Sequence, residues 1–209
     1  MEEQRAESAQ LLDPLSKILI ELGTGRNILI LLVSLVVFSF AILGPMYARI
    51  ETLSGGVGAM DRLIVYSPDK AYDMVAAYGQ QGRQYYATIA LTLDTIFPLL
   101  LALTFSSILA SVFHRAFSRE EVLQRAVLVP VAAMMADLLE NIGIVTMLLS
   151  YPRKLLAVAL LASAFSTVKW TALAAEAVLV IAGLMAWLIQ RVRRRGESRR
   201  GTPGNVPQE

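Results

Sequence analysis

The chain is 209 residues long and 56% hydrophobic, with a mean hydropathy of +0.56 and a net charge of +2. It has no cysteine, which excludes disulfides, thiolate catalysis, zinc–thiolate sites and iron–sulfur clusters. Its one histidine, His114, falls in a predicted loop, which leaves no basis for a histidine metal site or Ser-His-Asp catalysis within a membrane, so no metal and no cofactor is expected.

The apolar residues gather in runs of about 20 or more, the length that crosses a ~30 Å hydrocarbon core at ~1.5 Å per residue. The sequence therefore predicts an all-α membrane protein: four transmembrane helices in a bundle, with short interfacial amphipathic helices beside them. Residues 1–26 form an N-terminal segment. Within it "DPLSKILIELG" reads as an amphipathic helix, with Asp13 as N-cap, Pro14 in the first helical position and Gly23 as the stop. Leu15, Ile18, Leu19 and Leu22 share one face, which lies in the interface plane or packs on the rest of the protein. The first span is predicted from Asn27 to Met46, ended by "GPMYAR"; no A-x-A-like site follows it, so it reads as an uncleaved anchor.

Residues 48–84 make the one sizeable loop. "SGGVGA" is expected to be a flexible connector, since neither the preceding strand nor the following Lys-Ser/Thr of a phosphate loop is present. "SPDKAYDMVAAYG" reads as a short surface helix, capped by Ser67, opened by Pro68 and stopped by Gly79, with Ala71, Met74, Val75 and Tyr78 on one face. The second span runs from about Tyr85 to Phe113. Ser118 and Glu121 form a capping box for the third, which continues to about Ser150. After the turn "YPRK", the fourth hydrophobic region, Leu155 to Gln190, is too long for one upright span. Its surplus, residues 155–167, reads as a helical extension, a tilted start or a lid. The transmembrane domain thus covers 27–190, and 191–209 is a basic, disordered tail.

Four spans place both termini on one side. That side gathers twelve lysines and arginines, six of them between Arg191 and Arg200, against six on the other side, with Lys169 set aside inside a span. The positive-inside rule then makes both termini cytoplasmic, in an inner or plasma membrane. All seven tyrosines fall on the opposite side, where an apolar ring with a polar tip suits the headgroup level. The arginine-rich tail reads either as a topological stop signal alone or as an attraction for anionic lipid, worth about 1 kcal/mol per charge. Expected partners are membrane lipids and a second copy or a larger membrane complex; nucleic acid is not one.

The stretch "MMADLLENIGI" carries Asp137, Glu140 and Asn141 inside an apolar run. An isolated charge in hydrocarbon costs at least about 2.5–3.5 kcal/mol on insertion scales. Counting each span from its basic end brings Asp94, Glu140, Asn141 and Lys169 to similar depth on three helices, with Asp137 nearer the middle. Asp137, Glu140, Asn141 and Ile144 share a helix face, and Ser166, Lys169 and Glu176 share another. Trp170 and Trp187, about 25 Å apart along a helix, fit two interfacial anchors. Turned toward each other, Asp94, Asp137, Glu140, Asn141 and Lys169 would line a polar pocket for a ligand or proton, with Ser166 and Glu176 as secondary members. Pro98 removes the hydrogen bond to the Asp94 carbonyl, and Pro130 does the same at Ala126; both also kink their helices.

Three readings remain open on the sequence. The cluster is structural glue in an accessory or assembly protein. Alternatively it is a binding or transport site for a cation, a proton or an amphiphile with an amine or hydroxyl head. In the third reading Asp94 and Glu140 act as paired carboxylates in metal-independent acid/base catalysis on a lipid-phase substrate.

Overall fold

The computed structural model describes residues 21–116 and 120–200, with side chains described over 21–113 and 126–193. Helix α1 (Gly25–Val37) passes through a π-helical turn, Phe38–Leu43, into α2 (Gly44–Leu53). A 3-10 turn, Met60–Arg62, and α3 (Pro68–Ala77) precede α4 (Gly79–Leu91), α5 (Leu93–Ala116), α6 (Glu120–Ser150) and α7 (Leu156–Arg200). Among the described residues there is no strand, and four stretches are long and apolar enough to cross a membrane: Gly25–Leu53, Gly79–Phe113, Ala126–Ser150 and Leu156–Arg193. The chain is an all-α, multi-pass membrane protein.

The first crossing does not stop at Met46, just past Gly44-Pro45, where the sequence placed its end. Proline cannot donate a hydrogen bond and crowds the carbonyl four residues back. Here the helix widens instead: the Gly44 N–H reaches the Ser39 carbonyl, five residues earlier, and Pro45 falls in the first turn of α2, where a missing N–H costs least. The helix then continues to Leu53. Its end is set by the glycines of "SGGVGA", expected to be a flexible connector. Gly55 and Gly56 take positive φ (65° and 96°), Gly56 donates to the Glu51 carbonyl at 2.8 Å and Gly55 to Thr52 at 3.4 Å. That pairing is a Schellman cap, so the stretch is an ordered helix stop.

The second crossing begins at Gly79, six residues before Tyr85, and is interrupted at Thr92, whose backbone (φ −117°, ψ −90°) leaves the helical region. Thr95 bridges the break by donating its hydroxyl to the Ala90 carbonyl at 2.9 Å. The third crossing ends at Ser150, where the sequence placed it. α7 remains helical through Arg200, past the Arg191 boundary set for the tail. Of the expected N-terminal helix only residues 21 and 22 are described, and they are helical. The rest of it, Ser118, the side chains of His114 and Glu121, and the chain beyond Arg200 lie outside the described residues.

Residues 156–167 are the first turns of α7, continuous with the fourth crossing, and they are packed rather than surplus. Ala159 and Ala162 are buried, and a Cβ on Gly143 would come within 2.8 Å of the Ala162 Cβ, so α6 and α7 approach almost to backbone contact. The same turns of α7 hold down the extended segment 63–66. Ser166 and Thr167 donate to the Leu63 and Ile64 carbonyls (2.5 and 3.0 Å), and Ser163 accepts from the Tyr66 N–H at 2.9 Å. A segment with no strand partner thus has its backbone groups satisfied by helix hydroxyls.

The main core lies at the tyrosine-rich end. α3 turns the predicted face Ala71, Met74, Val75 and Tyr78 inward, each at most 2% exposed, so the short helix caps the bundle. Tyr66, Tyr72, Tyr78 and Tyr86 are buried in that cap, not displayed at headgroup level, with Tyr78 and Tyr86 meeting edge-on at 5.4 Å. Burial raises the hydroxyls of Tyr66 and Tyr78 above the ordinary tyrosine range, so both keep their protons. α1, by contrast, buries no residue and packs mainly against α5 among the long helices, leaving an apolar outer face of the kind lipid covers.

Candidate functional site

Four carboxyl groups and one ammonium converge beneath the tyrosine cap. α7 supplies Lys169, α6 supplies Asp137, Glu140 and Asn141, α5 supplies Asp94, and the 3-10 turn supplies Asp61. The Lys169 Nζ lies 2.6 Å from Glu140 Oε2, 3.3 Å from Asp137 Oδ1 and 2.9 Å from the Asp61 carbonyl. The Glu140 contact is an ion pair off the line of a hydrogen bond; the other two are hydrogen-bonded. Three oxygens thus surround the ammonium, two of them as hydrogen-bond acceptors and the third, on Glu140, as a close counter-charge. The i, i+3 spacing of Asp137 and Glu140 is what lets one helix grip the ammonium from two successive turns.

Asp94 has a different environment. Two residues after the break at Thr92 and four before Pro98, it sits where the helix ladder is open. Pro98 frees the Asp94 carbonyl, and the Asn141 side-chain amide reaches that oxygen at 3.5 Å, so the proline on α5 and the amide on α6 answer each other. The carboxylate is poorly served. Its Oδ1 lies 3.3 Å from the Tyr47 hydroxyl, but that hydroxyl has one proton and a closer acceptor, Asp61 Oδ2 at 2.6 Å. Asp94 Oδ2 is buried with no hydrogen-bond partner.

Asp61 ties the cap to the bundle. It accepts from Tyr47 and, at 2.5 Å, from Tyr86, whose oxygen in turn accepts from the N–H groups of Met60 and Asp61 at 3.1 and 3.2 Å. Asp61, Tyr47 and Tyr86 were not among the residues singled out from the sequence. An acid in a polar loop costs nothing and marks nothing. The available signal was the tyrosines themselves, since most buried hydroxyls find an acceptor.

A cavity of about 600 Å³ opens beside this cluster. Its polar floor is Tyr47, Asp61, Asp94, Asp137 and Lys169, and its rim carries Glu51 and Arg62, with the guanidinium of Arg62 over the Tyr47 ring at 5.5 Å. The remaining wall is apolar: Phe40 and Leu43 of the π turn, Phe97 and Leu101 of α5, Leu173 of α7. The widened turn is what sets Ser39, Phe40, Leu43 and Gly44 on that wall.

The other expected members lie apart. Glu140 and Asn141 are buried behind the floor, and Ser166 is engaged with the Leu63 carbonyl. Glu176, seven residues along α7 from Lys169, is buried with neither oxygen hydrogen-bonded, and it does not line the cavity. Pro130 is buried within α6, away from the cavity. Asp94 and Glu140 share no hydrogen bond. Among the described residues no group of three or more His, Cys, Asp or Glu is placed to hold a metal ion. Comparison of the chain with protein-family models, with curated proteins and with solved structures finds no match.

Proposed function

We propose that this chain is a membrane-embedded binding protein for a small amphiphile, whose polar head meets the carboxylate floor and whose apolar part lies along Phe40, Leu43, Phe97, Leu101 and Leu173. The observation that carries the reading is the cavity itself: one end carboxylate and phenol, the other aliphatic and aromatic, within the about 300–1,000 Å³ range of small-molecule sites. Phe40 supports entry from the bilayer, because it lines the cavity from the π turn while remaining 79% exposed. The Lys169 network favours the structural-glue reading for its own members only. Lys169 is ion-paired with both Asp137 and Glu140, and Asp94 remains over.

A photoactivatable alkyl diazirine tests the reading. On the purified protein it is expected to label the π turn and residues 97–101, and Leu173→Trp, which fills the cavity, is expected to cut that labelling several-fold while the melting temperature holds. Labelling spread over the outer faces of α1 and α7, unchanged by Leu173→Trp, would leave the cavity without a ligand.

The cavity opens toward the tyrosine-rich end. We place that end on the non-cytoplasmic side, and both termini in the cytoplasm, on the two-to-one arginine and lysine bias. Reporter fusions after Arg200 should read cytoplasmic and fusions within 55–58 external. The reverse pattern would invert the orientation.

A further inference from the structure

We infer that the head group taken by this site is an amine in its ammonium form, a primary alkylammonium being the minimal case; this rests on the amphiphile-binding reading above. The floor of the cavity is rich in acceptors and poor in donors. Lys169, its one ammonium, is surrounded by the Glu140, Asp137 and Asp61 oxygens. The Tyr47 and Tyr86 hydroxyls each spend their proton on Asp61. The floor's hydroxyl protons are thus spent within the cluster, and the third Lys169 N–H is held beside the Glu140 carboxylate. The other donors that line the cavity, the Arg62 guanidinium and the Trp170 indole, belong to exposed residues, and Glu51 brings an opposite charge to the same lining.

Acceptors, by contrast, are in surplus. Asp94 is 3% exposed, lines the cavity, has no partner on Oδ2 and only the longer of two contacts to Tyr47 on Oδ1. Its charge is not among those that Lys169 touches directly. An ammonium at the floor would supply a counter-charge to Asp94 and N–H donors to the oxygens that lack them. A hydroxyl supplies one donor and no charge; a carboxylate or phosphate adds a like charge to a site already acid-rich. The apolar wall then selects for a hydrocarbon chain on that nitrogen, which distinguishes a long-chain amine from a free inorganic cation.

The experiment is competition against the diazirine label with three probes of equal chain length: dodecylamine, dodecanol and laurate, in a zwitterionic detergent. Dodecylamine is expected to displace the label at a concentration at least about tenfold below either of the others, the margin of one charge-assisted hydrogen bond. In Asp94→Asn, which preserves size, dodecylamine should fall to the level of dodecanol while the cavity is still labelled. Laurate or dodecanol competing as well as dodecylamine would overturn the ammonium assignment and leave the amphiphile site standing, as would an amine preference that survives in Asp94→Asn. The order of the three probes on the wild-type chain decides the matter even where that variant does not fold. Absence of cavity labelling in the first place removes both readings together.

Discussion

Replacing Lys169 by methionine is expected to destabilise the fold by about 3–5 kcal/mol, the cost of removing one partner from a buried ion pair. Lys169 and Glu140 are at most 7% exposed at the side chain and Asp137 is 14% exposed, so bulk water does not step in when the ammonium leaves. An exposed pair would contribute only about 0–1 kcal/mol. The same argument predicts a rescue. Adding Asp137→Asn and Glu140→Gln to Lys169→Met removes the stranded charges, and most of the loss should return, leaving the Asp61 carbonyl as the remaining orphan at about 1–3 kcal/mol. Denaturant titration in mild detergent on the single and triple variants measures both effects. A single variant as stable as the wild type would show that the ammonium is no anchor. A triple variant as unstable as the single would show that the three groups do not neutralise one another.

The parts of this architecture that the sequence displays are those where polarity is expensive. Charged and amide groups within an apolar run stand out because each is costly in hydrocarbon, so Asp94, Asp137, Glu140, Asn141 and Lys169 are visible, and the similar depth of all but Asp137 follows from a rise of about 1.5 Å per residue. The pairing of Asn141 with the Asp94 carbonyl was half visible, because Pro98 announces a freed oxygen without saying which group takes it. Hydropathy does not register backbone geometry. "FSFAILGPMY" reads as an apolar run closed by Gly-Pro, yet one widened turn absorbs the proline and carries the helix on to Leu53. Loops hide their functional groups for the opposite reason, since a carboxyl in a polar segment is cheap until the fold buries it. Asp61 became part of the site only when the cap of buried tyrosines closed over it. The tyrosines were read as headgroup anchors because a ring with a hydroxyl suits both an interface and a satisfied core, and composition does not separate the two.

Asp61→Ala is expected to have the second large effect, and its dissection bears on binding as well as stability. The substitution leaves the Asp61 carbonyl in place for Lys169 but deprives two phenols of their acceptor. A buried donor without a partner costs about 1–3 kcal/mol. The two losses should be unequal. Tyr86 is fully buried and donates only to Asp61, so it bears the whole penalty. Tyr47 has a second acceptor within reach, Asp94 Oδ1 at 3.3 Å, and can redirect its proton there. Double-mutant cycles should therefore give Asp61 a coupling to Tyr86 of about 1 kcal/mol or more, and a smaller one to Tyr47. Equal couplings would mean that Tyr47 does not turn. The redirected proton has a consequence at the cavity, because Asp94 would then be served from within the protein. Dodecylamine should lose part of its advantage over dodecanol in Asp61→Ala, and Tyr47→Phe added to that variant should restore it by removing the competing proton. Restoration without any change at Asp94 itself would identify the Tyr47 hydroxyl as the group that sets how strongly the site seeks a cation; an amine preference indifferent to both substitutions would assign Tyr47 a structural role alone.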